Sequence, residues 1–328
     1  MKKGLMKVKA FWFSWVLIGL SFVTLFQTAT ASDYPARPIT LVIQFVAGTT
    51  TDIIMRRLSE VVSKDLGQPI IPVNKTGGGG TIGVAEIVRS KPDGYTIGCI
   101  NMPALNIIPH IQTLAYDPFK DIAQVCVVNA YEYALYTKTD SPWNSFEDFV
   151  EYTRKNPGKA TYATPGVGTT SHLLMVILGK DLNVDWRHVP YKGDGEIIPA
   201  ILGGHVDTAI GSPAAVMPQV KAKKMKLLAI TSKDRWSYVP EIPTLLEKGY
   251  KYQSSYNSLG VHAATPEPIR SKLEETFKRA LQDPALKKEF EEKLSTKLTY
   301  ISGSEYTKFA MEQSGVYREV LKSLGMVK

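Results

Sequence analysis

Two stretches of the chain place glycine and hydroxyl residues directly ahead of an apolar helical pattern. The first is Gly48-Thr49-Thr50-Thr51-Asp52. The second is Thr164-Pro165-Gly166-Val167-Gly168-Thr169-Thr170-Ser171-His172. A loop of this kind gathers free backbone N–H groups, hydroxyls and the positive end of a helix dipole in one place, which suits a carboxylate or a phosphate. The same Thr, Ser and Asp residues also serve as ordinary helix caps, so either loop alone is equally an unremarkable strand-to-helix turn. Taken together, two such cradles could face one ligand. Asp52 is the awkward member, since a carboxylate in an anion site repels the ligand unless it caps the helix or acts through water. Ser171 and His172 do not make a nucleophile and base by themselves, because adjacent residues at a helix start point about 100° apart. No G-x-S-x-G elbow, H-E-x-x-H motif or spaced Cys/His set is present, which removes the common hydrolase and zinc signatures.

A third loop, Asn74-Lys75-Thr76-Gly77-Gly78-Gly79-Gly80-Thr81, is the most glycine-dense in the chain. Its glycines, Gly79 among them, let a ligand approach bare backbone. Gly78, Gly80 and Gly83 satisfy G-x-G-x-x-G. The following strand ends in Asn101, though, where a dinucleotide fold places an acidic residue for the ribose, and no G-K-[ST] follows. No nucleotide, metal or other cofactor is expected. Asn101 itself ends a strand, a position from which a parallel sheet presents side chains to a crevice.

The elements that must position these residues read as α/β. Thr40 to Phe45 is a strand, and Ile54, Leu58, Val61, Val62 and Leu66 fall on one helical face stopped by Gly67 and Pro69. Strands are expected at Ile70 to Val73 and Tyr95 to Ile100, with a helix between them at Ile82 to Arg89. Two strands or one bent strand cover Ala123 to Val128 and Tyr133 to Tyr136. Ser145-Phe146-Glu147-Asp148 opens a helix to about Lys155. Further strands are expected at Ala160 to Ala163, His188 to Tyr191, Val206 to Ile210 (bearing Asp207), Lys226 to Thr231 and Tyr252 to Val261. Helices at Glu196 to Leu202 and Ser212 to Lys223 separate them, and three more finish the chain at Glu267 to Leu281, Pro284 to Leu294 and Ser304 to Leu324.

The 328 residues begin with an address. Lys2, Lys3, Lys7 and Lys9 precede an uncharged apolar run from Ala10 to Phe26, and Ala29-Thr30-Ala31 supplies a small-x-small cleavage pattern. This reads as a secretory leader, 1–31, cut near Ala31 to release an exported chain, which the resemblance given below implies is periplasmic. Four of the Lys lie in it, so the formal charge of +8 falls to +4 on the mature chain. Charges of both signs are interspersed, which argues against nucleic acid and is compatible with acidic small ligands. Cys99 and Cys126 each sit in an apolar, strand-like run, where buried free thiols are more expected than a disulfide.

These residues together resemble a known family. Pro35-Ala36-Arg37-Pro38-Ile39, the Phe45-x-Ala47-Gly48 loop ending in Asp52, Lys91-Pro92-Asp93-Gly94-Tyr95-Thr96 and Tyr116-Asp117-Pro118 match in order. So do Tyr162-Ala163-Thr164-Pro165-Gly166-x-Gly168-x-x-Ser171-His172-Leu173, Val189-Pro190-Tyr191-Lys192-Gly193 and Leu202-Gly203-Gly204-His205-Val206-Asp207. The pattern is similar to the Bug, or TctC-like, receptors of tripartite tricarboxylate transporters, over essentially the whole mature chain. The resemblance implies a two-lobe periplasmic binding protein fold (type II-like), each lobe a mixed sheet flanked by helices, with the ligand cleft between lobes built from 32–128 with 233–328 and from 129–232. It implies a monomeric, non-catalytic receptor for a mono-, di- or tricarboxylate, partnered by integral membrane transporter subunits. One carboxylate would lie near the Gly48 to Asp52 loop, held partly by water, and another polar end at the Gly168 to Ser171 helix start. The candidate ligand contacts are thus Phe45, Gly48, Thr49, Thr50, Asp52, Gly79, Asn101, Thr164, Gly168, Thr169, Thr170, Ser171, Tyr191 and Asp207. Two departures fall where ligand shape would be read. Ala47-Gly48-Thr49 replaces the usual Pro-Gly-Gly, and Ser255 to Gly260 lacks the usual Trp. A sensory partner for a membrane kinase would use the same ligand chemistry. An exported hydrolase would have to draw on Ser171, His172 or His205 with Asp207.

Overall fold

The strand Ile39–Ile43 (β1) is almost wholly buried, as a run of β-branched and aliphatic residues covered on both faces must be. The computed structural model describes residues 34–191, 193–250, 255–294 and 296–328, so the leader pattern lies outside the described residues. After β1 come α1 (Thr50–Leu66), β2 (Ile70–Asn74), a 3₁₀ turn at Gly78–Gly80, α2 (Thr81–Arg89) and β3 (Thr96–Asn101). Two short helices, α3 (Met102–Asn106) and α4 (Ile108–Ile111), lead into the long strand β4 (Ile122–Tyr131). Parallel pairing of β1 with β2 and β3 brings the loops after all three strands to one edge of the sheet.

The chain then enters a second sheet. Its elements are β5 (Ala134–Lys138), α5 (Phe146–Lys155), β6 (Thr161–Thr164), α6 (Thr170–Leu182) and β7 (Arg187–Pro190). They continue with α7 (Asp194–Leu202), β8 (Thr208–Gly211), α8 (Pro213–Lys221) and β9 (Met225–Ile230). The return to the first sheet is β10 (Ser255–His262), followed by α9 (Glu267–Gln282), α10 (Pro284–Leu294), β11 (Leu298–Ser302) and α11 (Gly303–Ser323).

The first sheet runs β11-β4-β10-β3-β1-β2 and the second β7-β6-β8-β5-β9. Both are mixed: β10 is antiparallel to β3 and β4, and β5 is antiparallel to β8 and β9. The expectation of two mixed sheets flanked by helices is met. Helix α5 opens with a full capping box, Ser145 and Asp148 each accepting the other's backbone N–H. Strand β11 has no counterpart in the sequence reading. The strand placed at Val206 to Ile210 begins instead at Thr208, which leaves Asp207 just outside it. Leu259 on β10 stands opposite both Cys99 and Cys126. The thiols are therefore two strand spacings apart, roughly 10 Å, beyond disulfide reach, and both are free and buried.

Each sheet has its own apolar core, and a further cluster joins them. Leu173 on α6 is fully buried against Met102 and Ile107 of the α3 region and Tyr317, Val320 and Leu321 of α11. Burying such a side chain contributes about 2–3 kcal/mol. The lobes are thus held by packing as well as by the chain segments that link one sheet to the other.

Candidate ligand-binding site

From the glycine before the N-cap onward, the loops before α1 and α6 share backbone conformation and a set of side-chain hydrogen bonds. Thr49 and Thr169 are the N-caps, with φ/ψ of −70/157 and −70/158. Each hydroxyl donates to the carbonyl three residues back, Thr49 to Val46 at 2.9 Å and Thr169 to Gly166 at 2.8 Å. Each also accepts the N–H three residues on, from Asp52 at 3.4 Å and from His172 at 3.3 Å. The preceding glycines, Gly48 and Gly168, are left-handed with φ of +85 and +76, a conformation that favours glycine. Their N–H groups are received by the side chain four residues on, Gly48 by Asp52 Oδ2 at 2.9 Å and Gly168 by His172 Nδ1 at 3.1 Å.

This arrangement leaves donors at the mouth of each loop. The N–H groups of Thr50 and Thr51, and of Thr170 and Ser171, have no acceptor among the described residues. They stand at the positive ends of α1 and α6, where an anion is stabilised. Thr170 Oγ1 is buried and completes no hydrogen bond of normal geometry. Ser171 Oγ lies 3.1 Å from Thr169 Oγ1.

The first helix start meets strand β10 directly, and the second is linked to it through Tyr133. Asn257 Nδ2 donates to Thr51 Oγ1 and to Asn129 Oδ1, both at 3.2 Å. Ser255, two residues along β10 and so on the same face, is approached by the Tyr133 hydroxyl, which also lies against Thr170. Burial raises the Tyr133 phenol well above its ordinary range, so it stays a neutral donor. Tyr133, Asn129 and Asn257 were not singled out as site residues from sequence. The one signal was that the Ser255 to Gly260 segment departs from the family pattern.

Asp52 is not a free carboxylate. It is 2 % exposed, and Arg56 Nε reaches its oxygens at 3.1 and 3.0 Å while Asn74 Nδ2 donates at 2.7 Å. Burial opposes its ionisation, but the hydrogen bonds from Arg56, Gly48 and Asn74, with the Arg56 charge, together hold its pKa below the ordinary carboxylate value. Its negative charge is thus neutralised within the first lobe.

In the second loop His188 Nε2 is 2.7 Å from Thr164 Oγ1, whose own proton goes to the Gly166 carbonyl at 3.1 Å. The His172 and His188 rings stack with centroids 4.1 Å apart. Burial lowers the pKa of both, and His188 falls to about 4 with the His172 charge adding to the effect.

The remaining candidates divide. The Phe45 carbonyl accepts from Asn74 at 2.9 Å, beside the first loop. Asn101 caps α3 through Ala104 at 3.2 Å and donates to the Gly79 carbonyl at 3.0 Å, tying the glycine loop to the end of β3. The Tyr191 N–H bonds the Thr164 carbonyl at 3.0 Å, so Tyr191 flanks the second loop. Asp207 is not brought to that loop. Its carboxylate accepts from the N–H and hydroxyl of Thr161 at 2.8 and 2.7 Å, at the opposite end of β6 from Thr164. With His172 Nδ1 occupied by Gly168 and His205 exposed, Ser171, the histidines and Asp207 do not assemble as a triad. Among the described residues no group of His, Cys, Asp and Glu is arranged to hold a metal ion.

Two mixed α/β lobes, each with a matched helix-start loop, define a two-lobe solute-binding protein. The chain belongs to the tripartite tricarboxylate transporter family receptors, whose family model matches residues 54–326, beginning just after the first loop and spanning the second. A protein of Cupriavidus necator described as "UPF0065 protein in gbd 5'region" is 36% identical over 301 residues, covering 92% of this chain and 91% of that protein. Rpa4515 of R. palustris, solved with adipate, superposes with a TM-score of 0.76 at 26% identity, covering 90% of this chain and 99% of that one. MatC from Rhodopseudomonas palustris, solved with bound malate, gives 0.71 at 26%, covering 88% and 100%.

Proposed function

We propose that this receptor captures a small organic acid between its lobes in the periplasm and presents it to the membrane-embedded subunits of a tripartite tricarboxylate-type transporter. The observation that carries this is the pair of matched helix-start loops, each with two N–H groups free of acceptors among the described residues, the first touching β10 at Asn257 and the second linked to Ser255 through Tyr133. Neither the 45–52 nor the 164–172 stretch contains Lys or Arg, so a carboxylate would be held by neutral donors. Each charge-assisted hydrogen bond contributes about 1.5–3 kcal/mol net. A few of them, offset by the cost of association, give affinity on the order of micromolar, which permits release to a transporter. The adipate and malate of the two structural relatives have two carboxylates each, a number that matches the two loops proposed here. Solved relatives of this kind support a carboxylate ligand without fixing which.

The test is isothermal calorimetry and thermal shift against mono-, di- and tricarboxylates and aromatic acids, with mass spectrometry of the small molecule released on denaturing freshly purified protein. A raised melting temperature with one or a few of these acids is expected. No shift across the panel would overturn the reading. Pull-down from solubilised membranes separates a permease partner from a sensor kinase.

A further inference from the structure

Between Gly48–Asp52 and Gly168–His172 the two loops differ chemically at one matched position, and the difference bears on how the second one receives an anion. In the first lobe the Gly48 N–H is held by an ionised side chain, Asp52, and the charge is cancelled by Arg56 four residues on. In the second lobe the residue four beyond His172 is Val176. The stretch from Thr164 to Gly179 contains no Lys, Arg, Asp or Glu. A carboxylate at position 172 would accept the Gly168 N–H equally well but would stand uncompensated, close to the free N–H groups of Thr170 and Ser171.

We propose that His172 is the positioning residue of the second loop, a neutral acceptor that holds Gly168 in its left-handed turn without placing negative charge beside the bound carboxylate. The inference rests on the receptor reading above and deepens it by assigning a determinant of anion affinity. The hydrogen bonds dictate the tautomer. The Gly168 N–H can only donate, so Nδ1 carries a lone pair and the proton is on Nε2. The ring is buried and stacked on His188, which stacks in turn on Tyr162 with centroids 5.0 Å apart. His188 is itself fixed through Thr164 to the Gly166 carbonyl. Position 172 is thereby braced from β6 and β7.

The experiment compares wild type with His172→Asn, His172→Asp and His172→Ala, using malate and adipate as probes in calorimetry at pH 7.5. It is coupled to ¹⁵N NMR of the imidazole nitrogens and the Gly168 amide. Asn is isosteric with the Asp that makes the same bond at position 52, so His172→Asn should bind within about threefold of wild type. His172→Asp keeps the acceptor but adds an unpaired charge, and should weaken binding tenfold or more, as expected for like charges several ångströms apart at an effective dielectric of ~20. His172→Ala frees the Gly168 amide, which should exchange faster and bind more weakly than His172→Asn. In wild type, Nδ1 should be unprotonated. Equal affinity of His172→Asp and wild type, loss in His172→Asn matching that in His172→Ala, or a protonated Nδ1 would each overturn the assignment. If wild type bound neither probe, the carboxylate reading would fail for those acids, while the Nδ1 state and Gly168 amide exchange would still decide the role of His172.

Discussion

Asp52 and His172 show how one backbone geometry is reached with opposite electrostatics. Asp52 gathers the Gly48 N–H, Arg56 and Asn74 onto one buried carboxylate. Asp52→Ala strips all three of their acceptor and should cost about 2–3 kcal/mol of stability, read as a lower urea midpoint at unchanged slope. The histidines give a pH dependence of definite sign. Both have pKa values below the ordinary 6.5, His188 at about 4, so the unfolded chain binds more protons between those limits. Their contribution is complete above pH 6.5, declines as pH falls through the window, and levels off below about 4. The melting temperature should follow that course, and His188→Gln should flatten it.

At the scale of elements, the packing of α11 on β4 is set by backbone contact. A Cβ at Gly303 would lie 2.0 Å from the Gln124 carbonyl oxygen and 2.8 Å from that of Val125, and neither can step aside as a flexible side chain would. Gly303→Ala should therefore cost more than about 3 kcal/mol or abolish soluble expression. Gly48→Ala makes the contrast. Nothing lies within 4 Å of its added Cβ, so only the left-handed φ is penalised, about 1–2 kcal/mol. Chemical denaturation of the two variants, if Gly303→Ala is the milder, would show that the helix is free to shift.

For the whole molecule, affinity and lobe packing are expected to be coupled. The apolar cluster around Leu173 lies between elements of both sheets, on the same helix whose start forms the second loop. Closure about a hinge is the motion such two-lobe receptors use, and the contacts of Leu173 tie α6 to elements of the first lobe. Leu173→Ala should lower stability by about 2–5 kcal/mol and weaken malate or adipate binding. Small-angle scattering should show a larger radius of gyration in the unliganded variant than in wild type. An unchanged radius together with unchanged affinity would place the cluster outside the closure equilibrium.

Local pattern alone located the strand–loop–helix units, because periodicity, glycine stops and capping residues act within a few residues of one another. That is why Thr49 and Thr169 at the helix starts, the Ser145 capping box and the terminal helices were legible. Strand β11 was not, since its five residues gain their hydrogen bonds only from β4, far away in the chain. The separation of Cys99 from Cys126 was equally hidden, because only sheet order inserts β10 between them. The ambiguity over Asp52 could be resolved only in three dimensions, where Asn74 and Arg56 close on it together. Asp207 went the other way, its carboxylate drawn to Thr161 by strand register. The sequence thus determined which segments form a loop and helix start with free N–H groups, through short-range backbone chemistry. The tertiary structure decided which side chains meet at β10 and which charges are cancelled, because those depend on contacts between residues up to 206 positions apart.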